Sequence, residues 1–120
     1  MRFSLEPNRW YAAEIIGEEF AETIRSHSPI KVRRLMPESK GGRCFSLEFY
    51  HANYPEGVRD KIYRLRTIER NKEFMLAVST EHNPRRYLLI HPISVEWLKN
   101  TYRVDVESGM AAEDWLERHA

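Results

Sequence analysis

Alternation of apolar and polar residues dominates the middle of the chain and predicts β-strands. The clearest example is Arg43–His51, in which Phe45, Leu47 and Phe49 point one way and the residues between them point the other. The other strands expected in this region are Ile30–Met36, Arg59–Glu69, Phe74–Thr80 and Tyr87–His91. Because the connections are short, the strands should form an antiparallel sheet or a small barrel rather than a parallel α/β fold.

Glycine and proline mark the turns, and alternation within each strand predicts which side chains face the core. Gly41 and Gly42 should join the first two strands of this region as a hairpin, and Pro55 and Gly57 place the segment before the next strand in a loop. In the predicted strand Arg59–Glu69, one side carries Tyr63 and Leu65, and the other carries Ile62, Arg64, Arg66 and Ile68. In the following strand, the side chains expected to point inward are Phe74, Leu76 and Val78.

Residues 9–25 fit two secondary structures. The apolar residues at helical spacing are Trp10, Ala13, Ile16, Phe20 and Ile24. Asn8 can cap a helix, and the alanines and glutamates of this stretch are strong helix formers. Gly17 and the pairs Trp10-Tyr11 and Ile15-Ile16 suit a strand instead. Helix is the favoured interpretation, with an extra strand as the alternative.

Two helices are expected at the end of the chain. Ser94 can cap a helix that runs to about Tyr102, and Ser108 can cap a second helix from about Met110 to Arg118. We therefore expect an α+β fold, in which an antiparallel sheet or small β-barrel of five to six strands (residues 30–91) is flanked by an N-terminal helix or extra strand and by C-terminal helices. Residues 1–103 should form one globular domain, and residues 104–120 an acidic helical segment.

Composition is that of an ordinary globular protein, with 42% hydrophobic and 31% charged residues among 120. The longest uninterrupted apolar run, Phe74–Val78, is far shorter than the roughly 20 residues of a membrane-spanning helix. The single cysteine, Cys44, cannot form an internal disulfide, which favours a reducing compartment and predicts a cytoplasmic location.

Charge is unevenly distributed although the net charge is only +1. Residues 1–24 hold two basic and five acidic side chains (net −3), residues 25–103 sixteen and eight (net +8), and residues 104–120 one and five (net −4). A basic middle can attract phosphates or carboxylates. The alternative is that the acidic ends fold back and pair with it.

Basic side chains interleave with aromatic ones along the predicted sheet, which suggests a surface for nucleic acid or another ligand. The candidate binding residues are Lys31, Arg33, Tyr50, His51, Asn53, Tyr54, Arg64, Arg66, Arg85 and Arg86. The same pattern also fits a solvated face, in which Glu48 and Glu69 pair with neighbouring arginines across strands.

Large apolar residues in the acidic C-terminal segment suggest a docking element. Met110, Trp115 and Leu116 lie among carboxylates on a helix that is too short to be stable alone. They should therefore pack on their own domain, on a second copy of the chain or on a partner protein, where tryptophan is a favoured anchor.

Patterns typical of catalysis and cofactor binding are weak. His51 with Glu56 could form a general-base pair in a small hydrolase-like enzyme, but no nucleophile motif accompanies them. The five histidines lack metal-ligand spacing, and no phosphate-binding glycine loop occurs, so no cofactor or metal is expected. We expect a small non-catalytic binding or interaction module of unknown ligand, with a homodimer as one expected assembly. Nucleic-acid binding is the first alternative, and the hydrolase-like enzyme is the second.

Overall fold

Six antiparallel strands close into a barrel in the computed structural model, which describes residues 2–17, 26–38, 41, 43–52 and 61–119. In chain order the strands are β1 (Trp10–Gly17), β2 (Ser26–Pro37), β3 (Cys44–His51), β4 (Lys61–Arg70), β5 (Met75–Ser79) and β6 (Arg86–Pro92). Each strand pairs with its sequence neighbours, and β1 also pairs with β6. Closure therefore leaves the sheet without an unpaired edge.

The predicted strands and hairpin are present, and β3 shows how alternation produces them. Phe45, Leu47 and Phe49 point into the barrel and are almost fully buried, as predicted. On β4, Tyr63 and Leu65 also join the interior. Observed strand ends differ from the predicted ones by up to four residues, as expected where pairing rather than composition ends a strand.

The N-terminal helix favoured over residues 9–25 is wrong for the residues that the structure describes. Residues 10–17 form β1, and residues 18–25 lie outside the described part of the chain. Tyr11, Ala13 and Ile15 face the interior, while Trp10 and Ile16 on the outer face are also buried. A strand buried on both faces has no polar alternation, so its apolar residues can mimic helical spacing.

The facing predicted for the strand after Asn71 is also wrong. Met75 and Ala77 point into the barrel, where they lie opposite Ile90 and Leu88. The residues predicted to point inward, Phe74, Leu76 and Val78, are not part of the interior cluster. Every residue from Met75 to Val78 is apolar, so alternation cannot distinguish the two faces.

The interior of the barrel is a packed core that includes the start of the chain. Phe3 and Leu5 join the buried side chains of the strands, and the Phe3 amide donates a 2.7 Å hydrogen bond to the Asn71 carbonyl. We call this end, where β1 begins and β4 ends, the plugged end. The opposite end, where β3 finishes at His51 and β4 begins, is the mouth.

Two helical segments follow the barrel. Ser94 caps the first, since its hydroxyl accepts from the Trp97 amide at 3.1 Å. This helix, α1 (Val95–Trp97), continues directly into a π-helical turn, Leu98–Tyr102. The second helix, α2, begins at Ala112 rather than Met110 (Ala112–His119), because residues 107–110 form a turn closed by a bond from the Met110 amide to the Glu107 carbonyl. Ser108 therefore does not cap it.

Candidate functional site

A second apolar cluster covers one outer side of the barrel. Its buried members are Trp10, Ala52, Leu98, Val106, Ala112, Trp115 and Leu116, and Met110 packs against them. The three side chains considered as partner anchors, Met110, Trp115 and Leu116, are thus occupied in contacts with the chain's own barrel. This packing also explains why Trp10 is buried although it points outward from β1.

An ion pair with α2 neutralises one cation of the predicted basic face. Glu117 Oε1 accepts from Lys31 Nζ at 2.7 Å and from the Trp10 indole N–H at 2.8 Å, and these bonds lower the pKa of the Glu117 carboxyl. The Arg33 guanidinium lies 4.7 Å from the centre of the Tyr50 ring. Lys31, Arg33 and Tyr50 therefore already contact other side chains of the chain.

Arg64 and Arg66 lie on the outer face of β4, which contributes no residue to the second apolar cluster. Arg64 Nε is 3.6 Å from a carboxylate oxygen of Glu38, whereas Arg66 forms no ion pair in the part of the chain that the structure describes. The same strand carries the exposed Ile62 and Ile68, whose accessible fractions are 56% and 48%.

The mouth brings His51 and Arg86 to the same end of the barrel. His51 is 5% exposed, and burial, with a smaller contribution from the Lys61 charge, lowers its pKa to about 4. The Arg86 guanidinium donates to the Tyr63 hydroxyl at 3.3 Å. A histidine with this pKa is neutral at pH 7 and is a weak base for proton abstraction.

Several predicted site residues stay untested. Asn53, Tyr54 and Glu56 lie outside the described residues, and so does the predicted pairing of Glu56 with His51. Arg85 is exposed and immediately precedes β6, which begins at Arg86.

A pocket at the plugged end is the strongest candidate, and sequence reasoning did not find it. It has a volume of about 320 Å³ and is lined by Arg2, Gly41, Arg43, Thr67, Ile68 and Arg70; we call it the arginine pocket. The Thr67 amide donates to the Arg43 carbonyl at 2.8 Å, which fixes the segment before β3 against β4.

The electrostatics of the arginine pocket are unbalanced. Its lining residues include three arginines and no aspartate or glutamate. Within the described ranges, Arg2, Arg43 and Arg70 are exposed and form no ion pair. Three like charges around one cavity repel one another, so an anion that enters it relieves this repulsion.

Two apolar cavities lie elsewhere on the surface. One, of about 210 Å³, is also at the plugged end, and Arg70 belongs to its lining as well. The other, of about 450 Å³, lies over the outer faces of β5, β6 and β1, where Leu76 and Leu89 meet Ile16. Glu69 and Glu73 belong to the lining of this larger groove, so an anion would be repelled there.

No group of three metal-ligating side chains is found among the described residues. In the same residues, no helix is long and apolar enough to cross a membrane. Comparisons with protein-family models, with curated proteins and with solved structures found no match to this chain.

Proposed function

We propose that this chain is a small non-catalytic binding module whose ligand carries a phosphate or a similar anionic group. The observation that carries the proposal is the arginine pocket, in which Arg2, Arg43 and Arg70 surround a cavity without a compensating carboxylate. A guanidinium is a planar donor that matches the oxygens of a phosphate in a bidentate arrangement.

Two uncharged groups support this choice of ligand. Thr67 belongs to the lining, and a threonine hydroxyl can donate to an anionic oxygen. Gly41 has a φ of +87°, and apart from its own chain neighbours no atom of the described residues lies within 4 Å of the position that a Cβ would take, which leaves space for a ligand beside this backbone. Three cations suit a multiply charged phosphate better than a single carboxylate.

A nucleic-acid strand is the second candidate, because Arg66 lies on β4 next to the arginine pocket, whose lining includes the exposed Ile68. Their side chains would supply one more phosphate contact and an apolar surface for a base. Against it, Lys31 and Arg64 on the originally predicted face have carboxylate neighbours. A nucleic acid should bind more tightly with each added nucleotide up to the site size, whereas a small ligand should not.

Isothermal titration with pyrophosphate tests the first candidate, and a twelve-nucleotide oligouridine tests the second. Loss of one charged hydrogen-bonding partner should weaken binding about tenfold or more, so we expect this effect from Arg43→Gln and from Arg70→Gln. Arg118→Gln, at an exposed position on α2, is the matched control and should bind as the parent does.

The outcomes separate the candidates. Pyrophosphate binding that falls with Arg43→Gln and with added salt supports the phosphate site. Binding of oligouridine alone, reduced by Arg66→Gln, would transfer the function to nucleic acid. Equal affinities for Arg43→Gln and Arg118→Gln would refute a role of the arginine pocket.

A further inference from the structure

We infer that the ligand of the arginine pocket is an amphiphile, whose anionic group contacts the arginines and whose short apolar chain fills the neighbouring 210 Å³ cavity. This inference rests on the proposed function and names the class of ligand for the same site. We call the second cavity the apolar pocket; its lining is Ser4, Leu5, Leu35, Pro37, Phe45, Arg70 and Met75.

Arg70 is shared by the two cavities. It is the last residue of β4 and belongs to the lining of both, so the cavities are neighbours at this end of the strand. An arginine combines an apolar stem with a charged head, so it suits a boundary between an apolar and an anionic part of one ligand. A molecule that spans this boundary would use both cavities at once.

The walls of the apolar pocket belong to the barrel core. Leu5, Phe45 and Met75 are nearly fully buried members of the interior cluster, and Leu35 packs against it. Ser4 and Pro37 are exposed at its opening. The cavity is therefore an opening from the surface onto the core at the plugged end, and its floor is held in place by the surrounding strands.

Size restricts the apolar part of the ligand to a short chain or one ring. A dry cavity of about 150 Å³ in another protein binds benzene. The apolar pocket, at about 210 Å³, has room for somewhat more than that. A long acyl chain would extend beyond it, so a soluble short-chain phosphate fits better than a membrane lipid.

The larger groove over β5, β6 and β1 is not an equivalent site for such a ligand. Although its volume is about 450 Å³, its lining contains Glu69 and Glu73 and no arginine. Neither carboxylate has an ion-pair partner among the described residues, so both repel an anionic group. Of these two apolar cavities, only the apolar pocket adjoins a cationic site.

A series of alkyl phosphates of increasing length tests the inference with the 120-residue chain. Methyl, butyl and hexyl phosphate share one anionic group and differ only in their methylene count. Burial of each methylene should strengthen binding about fourfold until the apolar pocket is full. Ser4→Trp places a large side chain at the exposed opening and should abolish this dependence while methyl phosphate binds as before. Ser108→Trp, in an exposed turn far along the chain, is the matched control.

The possible results distinguish the amphiphile inference from the proposed anion site. If the three alkyl phosphates and pyrophosphate bind with similar affinity, the amphiphile inference is wrong and the anion site stands. If none of these compounds binds, both proposals are wrong. Tight binding to vesicles containing phosphatidic acid, with no chain-length effect in solution and no change in Ser4→Trp, would also overturn the inference in favour of a membrane surface.

Discussion

Leu116→Ala should destabilise the whole protein, because the C-terminal segment is part of a core rather than a loose tail. Leu116 is fully buried between α2 and the outer side of the barrel, with Trp10 and Leu98 in the same cluster. Truncation of such a leucine costs about 2–5 kcal/mol, against a total of about 5–15 kcal/mol for a typical domain. We expect a loss of about 3 kcal/mol in the free energy of unfolding.

Urea denaturation followed by tryptophan fluorescence measures this loss directly. With a slope of about 1–3 kcal/mol per molar urea, a loss of about 3 kcal/mol lowers the midpoint by roughly 1–3 M. Arg118→Ala, on the same helix but exposed, should change the midpoint little. A Leu116→Ala midpoint within error of that control would show that α2 contributes nothing to stability, and would refute the assignment of this cluster as a second core.

The remaining predictions concern two titrating groups. The pKa of Glu117 is lowered by its hydrogen bonds from Lys31 and Trp10, so the stability that it contributes is present above the ordinary glutamate value of 4.5 and is lost as the pH falls through the lower folded-state pKa. Thermal unfolding of Glu117→Gln should therefore depend less on pH in this acidic range than that of the parent, and parallel curves would contradict the ion pair. Burial, together with the Lys61 charge, lowers the pKa of His51 from 6.5 to about 4. The unfolded chain binds this proton first, so stability should fall by up to about 3 kcal/mol as the pH drops from 6.5 towards 4, and His51→Gln should remove that slope. An NMR titration of His51 with a midpoint near 6.5 would exclude the effect.

Alternation in the sequence was sufficient to predict a strand and its inward-facing side chains where one face of the strand meets the core and the other meets solvent. β3 and β4 satisfy this condition: Phe45 and Leu65 point inward, while Arg64 remains outside. The pattern failed where both faces are apolar. On β1 the outer face is covered at Trp10 by α2, and on β5 the run from Met75 to Val78 offers no polar residue to mark the outside.

The arginine pocket could not be predicted because its members are distant in sequence and belong to no motif. Arg2 precedes the first strand, Arg43 precedes β3 and Arg70 ends β4. Pairing of β3 with β4 and anchoring of Phe3 to Asn71 bring these segments to one end of the barrel. The uneven distribution of charge gave a related signal, since the excess of basic residues lies in residues 25–103. It did not indicate which of the arginines would form no ion pair with a carboxylate.

Pairing of β1 with β6 has a consequence for how the chain reaches its native state. This seam joins Tyr11 to Pro92, whereas each of the other strand pairs connects neighbours in sequence. Contacts between such distant residues carry a large entropic cost of loop closure and are associated with slow folding. Until the seam forms, β1 and β6 each present an open row of amide and carbonyl groups to other chains. Dilute refolding should therefore give a higher yield of monomer than concentrated refolding, because the slow step competes with association between partly folded molecules.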